Sequence, residues 1–176
     1  MSGFTKEQVN LMRQACLLCD NSSLDVRTGC LIVLDGVVIG EGWNCVCDEG
    51  SCFYVEGGCI CEGGDCTSDL SDLFLEDSSG STGSINSVDF GKVLHAEVVA
   101  LKKADSLGIP IGGFTAYVTR FPCEECAVNL VEAGISGLFY MSDHFSSGNA
   151  ARPIFEKIGL EVVQIPEETV WHLLLK

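Results

Sequence analysis

Two short motifs in the second half of the chain carry the residues best suited to metal chemistry. His95-Ala96-Glu97 comes first, and Pro122-Cys123-Glu124-Glu125-Cys126 follows it. Two cysteines three residues apart at the start of a helix share one face, so both thiolates can bind the same ion. A histidine would complete three protein ligands and leave the fourth tetrahedral position for water, as in catalytic zinc sites. The spacing therefore predicts a catalytic zinc held by His95, Cys123 and Cys126.

Glu97 is the predicted proton carrier of this site. It lies two residues after His95, close enough to reach a substrate at the metal without binding the ion. Zinc lowers the pKa of bound water toward about 7, and a nearby carboxylate can pass the water's proton first to a ring nitrogen and then to a departing amine. The two motifs together match the His-x-Glu and Pro-Cys-x-x-Cys signature of zinc-dependent deaminases.

The motifs are predicted to open consecutive helices, over residues 95–106 and 123–133, with Pro122 at a position suited to a helix start. A strand is predicted between them at 114–119. The alternation continues with a strand at 138–141, a helix at 150–158, a strand at 161–165 and a short terminal helix. Such alternation indicates βαβ crossovers, so the second half of the sheet is expected to be mostly parallel, with helices on both faces.

The first half of the chain predicts a helix followed by a hairpin. Thr5 and Gln8 have the spacing of a capping box, and the apolar periodicity that follows ends near Asp20. Apolar runs at 30–34 and 37–40 flank Asp35-Gly36, a pair that tolerates positive φ in a tight turn. These strands are predicted to be antiparallel.

Composition favours one domain of a cytoplasmic protein. The chain has 176 residues, no apolar run near the roughly 20 residues of a membrane span, and no apolar stretch typical of a signal peptide at its start. The net charge is −15, and no Lys or Arg lies between Arg27 and Lys92. Such a field repels polyphosphates, so a long nucleic acid is disfavoured as a partner, whereas a single nucleotide remains compatible. No membrane partner is expected.

Several segments resemble the deoxycytidylate deaminase family within the cytidine/deoxycytidylate deaminase superfamily. They are Thr28-Gly-Cys-Leu-Ile-Val, Gly40-Glu-Gly-Trp-Asn44, His95-Ala-Glu-Val-Val-Ala-Leu, Phe121-Pro-Cys-Glu-Glu-Cys-Ala, Glu132-Ala-Gly-Ile and Phe139-Tyr-Met-Ser-Asp. The resemblance covers roughly residues 5–44 and 91–165. It implies a three-layer α/β/α fold with a mixed five-stranded sheet, a homo-oligomer between dimer and hexamer, and conversion of dCMP to dUMP and ammonia.

The resemblance also assigns expected roles residue by residue. His95, Cys123 and Cys126 match the family's zinc ligands, and Glu97 matches its proton shuttle. Asn44 matches an asparagine that contacts the sugar, although a plain turn residue is the alternative. Candidate substrate contacts are Phe121 and Tyr140 for the base, with core packing as the alternative, and Arg27 and Arg120 for a 5′-phosphate.

The segment at about 45–90 departs from the family pattern. It is acidic and rich in glycine, ends in a Ser/Gly run, and contains six of the chain's 11 cysteines: Cys45, Cys47, Cys52, Cys59, Cys61 and Cys66. Without a signal peptide, metal binding or burial is a better explanation for these cysteines than disulfides. Some deoxycytidylate deaminases resemble this chain in carrying ligands for a second, structural zinc, and four of the six could bind one. Free cysteines in a mobile loop are the alternative.

Three other functions remain open from the sequence. The first keeps the chemistry and changes the substrate to a nucleoside, a tRNA adenosine or a riboflavin precursor; the negative charge disfavours tRNA. The second is a zinc-stabilised interaction protein without catalysis, which would have no need of Glu97. The third is a thiol redox protein that uses Cys123 and Cys126, for which a disulfide and no stoichiometric zinc would be expected.

Overall fold

The architecture is a five-stranded sheet covered by helices on both faces. The computed structural model describes residues 4–47, 54–55, 58–59, 92–143 and 148–172. In chain order the elements are α1 (Lys6–Leu18), a short 3-10 helix (Cys19–Asn21), β1 (Gly29–Leu34), β2 (Val37–Trp43), β3 (Cys45–Cys47), β4 (Tyr54–Val55), β5 (Gly58–Cys59), β6 (Lys92–Leu94), α2 (Ala96–Asp105), β7 (Thr115–Arg120), α3 (Glu124–Glu132), β8 (Gly137–Ser142), α4 (Gly148–Lys157), β9 (Glu161–Gln164) and α5 (Glu167–His172). The predicted elements are all present, with ends that differ by at most three residues.

The main sheet has the strand order β2-β1-β7-β8-β9. β1 is antiparallel to both β2 and β7, whereas β7, β8 and β9 run parallel. This confirms the predicted mixed sheet with a parallel second half. Because β7 and β8 are parallel neighbours, the chain segments that leave them emerge at the same edge of the sheet.

The side chains of β1 point alternately to the two faces of the sheet, which shows why the fold has three layers. Cys30 and Ile32 face a core that includes residues of α2, α3 and α4, whereas Leu31 and Val33 face a core that includes residues of α1 and α5. All four side chains are buried, as expected for a strand between two helical layers. The predicted α/β/α arrangement is therefore confirmed.

Local chemistry accounts for the two predicted signals in the first half. The backbone N–H of Gln8 donates to Thr5 Oγ1 at 3.1 Å, and the Gln8 side chain accepts from the backbone N–H of Thr5 at 2.9 Å. This capping box satisfies two backbone donors at the start of α1. Asp35 and Gly36 have φ values of 51° and 77°, so the hairpin turn uses left-handed backbone at both positions.

The structure divides into two units, residues 1–45 with 94–176, and residues 46–93. The first contains the main sheet and the five helices. In the second, β4 and β5 are antiparallel, with Tyr54 opposite Cys59. The boundaries of the second unit agree with the insertion predicted at about 45–90. Most of that segment lies outside the described residues. The interpretation of the whole chain as one domain remains a prediction. None of the described helices has the length and apolar character of a membrane span.

Glycines in β2 let the helix that carries His95 and Glu97 approach the sheet closely. A Cβ atom built at Gly42 would overlap the carbonyl oxygen of Ala96, and one at Gly40 would overlap that of Ala100. Neither obstacle is the end of a flexible side chain, because both are backbone atoms of α2. A side chain at either position must therefore push α2 away from the sheet.

We expect Gly42→Ala to lower the free energy of unfolding by about 1–3 kcal/mol, the usual cost of overpacking a tight interface. Denaturant titration measures this cost. Gly112→Ala is the matched control, because a Cβ there meets nothing within 4 Å. If the two alanine variants were equally stable, the contact between β2 and α2 would be looser than the structure indicates.

Candidate metal centre and active site

Three potential metal ligands meet where two helices begin. His95 is the N-cap of α2, with φ −81° and ψ 148°, and Cys123 is the N-cap of α3, with φ −71° and ψ 172°. Each helix therefore starts one residue later than predicted, because His95 and Cys123 keep extended backbone. Pro122 precedes the N-cap of α3 and does not lie in its first turn. Cys126 is the third residue of α3, so its side chain lies beside that of Cys123.

The distances between the donor atoms fit a tetrahedral zinc site. His95 Nδ1 lies 3.2 Å from Cys126 Sγ and 3.5 Å from Cys123 Sγ. All three donor atoms lie within 4.8 Å of one another. Zinc bonds of about 2.0 Å to nitrogen and 2.3 Å to sulfur at a tetrahedral angle place the nitrogen and sulfur atoms about 3.5 Å apart. The side chains are therefore already spaced for the ion and need little rearrangement to bind it.

One of the two thiols is strongly acidic. Hydrogen bonds from the Cys126 thiol, from His95 and from the backbone N–H of Cys126 lower the pKa of Cys123 to about 3. Sharing a proton with Cys123, together with burial, raises the pKa of Cys126 above its usual range. The two cysteines thus hold one thiolate at neutral pH without help from a metal ion. A zinc ion would displace the remaining proton, since its cysteine ligands bind as thiolates.

Glu97 is buried beside the three candidate metal ligands. It is the second residue of α2 and only 4% exposed. Burial raises its pKa to about 6, although a hydrogen bond from its own backbone N–H favours the charged form. The Cys126 thiol is also within hydrogen-bonding reach of the carboxylate. A carboxyl group with a pKa near neutrality can both accept and donate a proton, which suits a general acid and base.

Asn44 braces the loop that precedes β1. Its side-chain nitrogen donates to the carbonyl oxygen of Val26 at 2.6 Å, and its side-chain oxygen accepts from the backbone N–H of Thr28 at 2.8 Å. The residue is buried, with 9% of its surface exposed. These bonds demonstrate a structural role, and contact with a sugar remains a prediction.

The two arginines proposed from the sequence occupy different environments. Arg27 is exposed and forms a long ion pair of 4.0 Å with Asp20. Arg120 is half-buried, ends β7 and lies opposite Ser142 in the parallel register. Both therefore lie near the ends of strands β1 and β7 that face the site, and their binding of phosphate remains a prediction.

Phe121 and Tyr140 are in contact with each other within the core. Their rings meet edge to face with centroids 4.8 Å apart, and the two residues are 1% and 5% exposed. Phe121 also packs edge to face against Phe155 of α4. Core packing is thus established for both residues, while contact with a base is still a prediction.

Sequence reasoning missed Arg152. Its guanidinium carbon lies 4.4 Å from the centroid of the Phe121 ring, and its Nη2 atom donates to Tyr140 Oη at 3.1 Å and to Asp143 Oδ1 at 2.8 Å. The sequence did contain a signal, because only four arginines occur in this acidic chain and Arg152 shortly follows the Met-Ser-Asp segment. Only Arg27 and Arg120 were predicted from the sequence to bind a phosphate.

Of the six cysteines proposed for a second zinc, only the side chain of Cys45 is described. It is buried and unpaired, and burial raises its pKa. Cys47 and Cys59 belong to short strands, but their side chains lie outside the described part of the structure. Cys52, Cys61 and Cys66 lie wholly outside it. The second zinc is consequently still a prediction.

Known proteins with similar sequences and folds include several deaminases. The chain is 29% identical to ComE operon protein 2 of Bacillus subtilis over 155 residues, which are 88% of this chain and 68% of that protein. It is 37% identical to human deoxycytidylate deaminase over 71 residues, 39% of each chain. The chain thus matches only about two fifths of the length of that deaminase.

A solved structure supports the fold over nearly the whole chain. It is the dCMP deaminase of cyanophage S-TIM5 in complex with dCMP and dUMP, with a TM-score of 0.63 and 21% identity over 93% of this chain and 100% of that one. At this identity the likeness concerns the fold.

The family model for the cytidine and deoxycytidylate deaminase zinc-binding region matches residues 5–142. That range includes the three donor atoms spaced for zinc and the buried carboxylate beside them. Because the match covers most of the chain and contains the whole site, the protein belongs to the cytidine and deoxycytidylate deaminase family.

Proposed function

We propose that this protein catalyses the zinc-dependent hydrolysis of dCMP to dUMP and ammonia. The observation that supports the chemistry best is the position of Glu97, buried beside three donor atoms spaced for zinc. A purely structural zinc site needs no buried free carboxylate, and a buried carboxylate is costly unless it has a role. Family membership establishes the general reaction class, and the proposal concerns the substrate and the residue roles.

In the proposed mechanism, His95, Cys123 and Cys126 hold the ion and Glu97 moves the protons. Zinc supplies Lewis acidity, which makes hydroxide available from water at neutral pH. Glu97 accepts the proton released from water as oxygen attacks C4 of the cytosine ring. It then gives that proton to N3 of the ring. In a second transfer Glu97 carries the proton of the new C4 hydroxyl group to the amine, the C4–N bond breaks, and ammonia leaves as the C4 carbonyl forms. Burial of the carboxylate keeps these transfers away from bulk solvent.

One observation supports dCMP over other cytosine compounds, and a second disfavours polynucleotide substrates. The curated relative at 37% identity is named as a deoxycytidylate deaminase, and the negative charge of the chain disfavours a long RNA or DNA substrate. The relative with the widest coverage, ComE operon protein 2, has a name that specifies no substrate. Other cytosine nucleotides or nucleosides therefore remain the alternatives to test.

The resemblance that supports dCMP also supports two further parts of the proposal. One is a homo-oligomer, between dimer and hexamer. The other is a second, structural zinc bound by cysteines of the insertion, which would provide folding energy to a segment with little apolar periodicity.

Ammonia release from dCMP, dCTP, deoxycytidine, CMP and cytidine tests the substrate. We expect the zinc-replete protein to act on dCMP with a kcat/KM at least about tenfold above those for deoxycytidine and cytidine, since one charge-assisted phosphate contact contributes that much. The kcat/KM for dCMP should also exceed those for dCTP and CMP. A preference for another compound would retain the mechanism and reject dCMP. Inactivity toward all five compounds would favour a non-catalytic zinc protein, whereas a disulfide between Cys123 and Cys126 without zinc would favour redox function.

A further inference from the structure

We propose that Arg152 binds the 5′-phosphate of the nucleotide substrate. This inference rests on the proposed function and names a specificity-determining residue of the same site. The sequence suggested Arg27 and Arg120 for this role. The structure provides stronger geometric support for Arg152, because its guanidinium is already oriented by three neighbouring groups.

The orientation of Arg152 comes from an aromatic platform and two hydrogen bonds. The guanidinium carbon lies 4.4 Å from the Phe121 centroid and 5.6 Å from that of Tyr140. Its Nη2 atom donates to Tyr140 Oη and Asp143 Oδ1. A cation over aromatic faces is held by the ring quadrupoles, so this arginine loses little further freedom when it binds a ligand.

The platform adjoins the metal ligands. Phe121 precedes Cys123 by two residues, and its backbone N–H donates to the carbonyl oxygen of Ser142 at 2.8 Å. This bond joins the ends of β7 and β8, the strands that lead to Phe121 and Asp143, and both of these residues contact Arg152. In a nucleoside monophosphate, the phosphate lies at the opposite end from the amino group that is removed. Arg152 packs on a side chain two residues from Cys123, and we therefore assign the binding of that phosphate to its guanidinium.

Arg152 also retains donors for a ligand. A guanidinium has five N–H groups in a planar fork. Within the described residues, both hydrogen bonds of Arg152 come from Nη2. The side chain is 38% exposed, which leaves the group accessible to a ligand from solvent. In contrast, Arg13 donates to the carbonyl oxygen of Val170 and thereby joins α1 to α5 in the opposite layer.

Asp143 does not prevent phosphate binding. Its ion pair with Arg152 has a distance of 2.8 Å, but the Asp143 side chain is 62% exposed. Ion pairs this exposed contribute little because water screens them. A phosphate dianion offers more acceptor oxygens and more charge than one carboxylate, so it can share the guanidinium or replace Asp143.

Binding of dUMP and deoxyuridine to the full-length, zinc-loaded protein tests this assignment, with both affinities measured by isothermal titration calorimetry. We expect the wild type to prefer dUMP, and Arg152→Gln to reduce that preference about 10- to 100-fold, the usual loss for one charge-assisted contact. The affinity for deoxyuridine should remain within about twofold, because that ligand has no phosphate.

Two further variants separate a direct contact from other effects. Lys157→Gln removes the same charge from an exposed position of the same helix, and it should leave the preference for dUMP unchanged. Arg152→Lys keeps the charge and should restore part of the preference for dUMP over deoxyuridine. If thermal unfolding or zinc content shows that Arg152→Gln is misfolded, Arg152→Lys takes its place in the comparison. An equal loss in Lys157→Gln would indicate a general field effect and overturn the proposal.

The outcomes distinguish this inference from the proposed function. Equal binding of dUMP and deoxyuridine by the wild type, or an equal loss of both ligands in Arg152→Gln, would overturn the role of Arg152. Turnover of dCMP with an unchanged KM in Arg152→Gln would do the same while the proposed function stands. A preference for dUMP that depends on Arg152, without turnover of dCMP, would support the phosphate site and reject the proposed reaction.

Discussion

Replacing Glu97 with glutamine is expected to lower kcat for deamination by about two to four orders of magnitude, the usual contribution of a general acid and base. Glutamine has nearly the same shape as glutamate but cannot accept and release a proton in this role. Glu97 is not among the three donor residues, so zinc content should stay at the wild-type level. The measurement is a rate of ammonia release together with metal analysis of the same preparation.

Glu125→Gln provides the matched control for this experiment. Glu125 is an exposed residue of α3, and its negative charge also acts on His95. Removal of this charge should change kcat by no more than a few-fold. If both glutamine variants lost activity to the same extent, a general electrostatic effect would explain the result and Glu97 would have no special role. Full activity of Glu97→Gln would reject Glu97 as the proton carrier.

Cys123→Ser is expected to weaken zinc binding by more than about 100-fold and to abolish deamination. Loss of a group that only supports a metal ligand already costs about 10- to 100-fold in affinity, so loss of a thiolate ligand should cost more. The variant should also lose the stabilisation that the zinc at this site gives to the folded state, so a chelator should lower its unfolding temperature less than that of the wild type. Competition with a zinc indicator measures the affinity directly.

Cys16→Ser is the matched control for the metal ligand. Cys16 is likewise a partly buried free cysteine, but it packs against the opposite face of the sheet, near Met141. It should keep zinc and activity at wild-type levels. Wild-type zinc affinity at the active site in Cys123→Ser would contradict the assignment of that ligand. Zinc that remains bound to Cys123→Ser and resists competition would instead indicate the second, structural site.

The elements whose formation depends on neighbouring residues were predictable. The capping box of Thr5 and Gln8 and the turn at Asp35-Gly36 were confirmed because each depends on interactions or backbone preferences within four residues. The alternation of strands and helices also identified the mixed sheet correctly. The ends of the helices at His95 and Cys123 differed by one residue, since a side chain can contribute to the helix start while its own backbone remains extended.

The residues of the metal site could also be predicted from short spacings in the sequence. His95 and Glu97 are two residues apart, and Cys123 and Cys126 are three apart, so local geometry places each pair near one helix start. Motif spacing was therefore enough to predict the three grouped donor residues, and it is also the basis for the proposed role of Glu97. The distances of 3.2 and 3.5 Å between His95 and the two sulfur atoms then depended on how the two helices pack.

The surroundings of the site became visible only in three dimensions. Arg152 meets Phe121 across 31 positions of sequence, and Asn44 binds the backbone of Val26 at a separation of 18. No local pattern encodes such contacts, because strand register and helix packing determine which distant side chains meet. Residue types and short spacings thus predicted the deaminase family and its metal site. The tertiary structure revealed the contact of Arg152 with Phe121, since that contact forms only when α4 packs near the ends of β7 and β8.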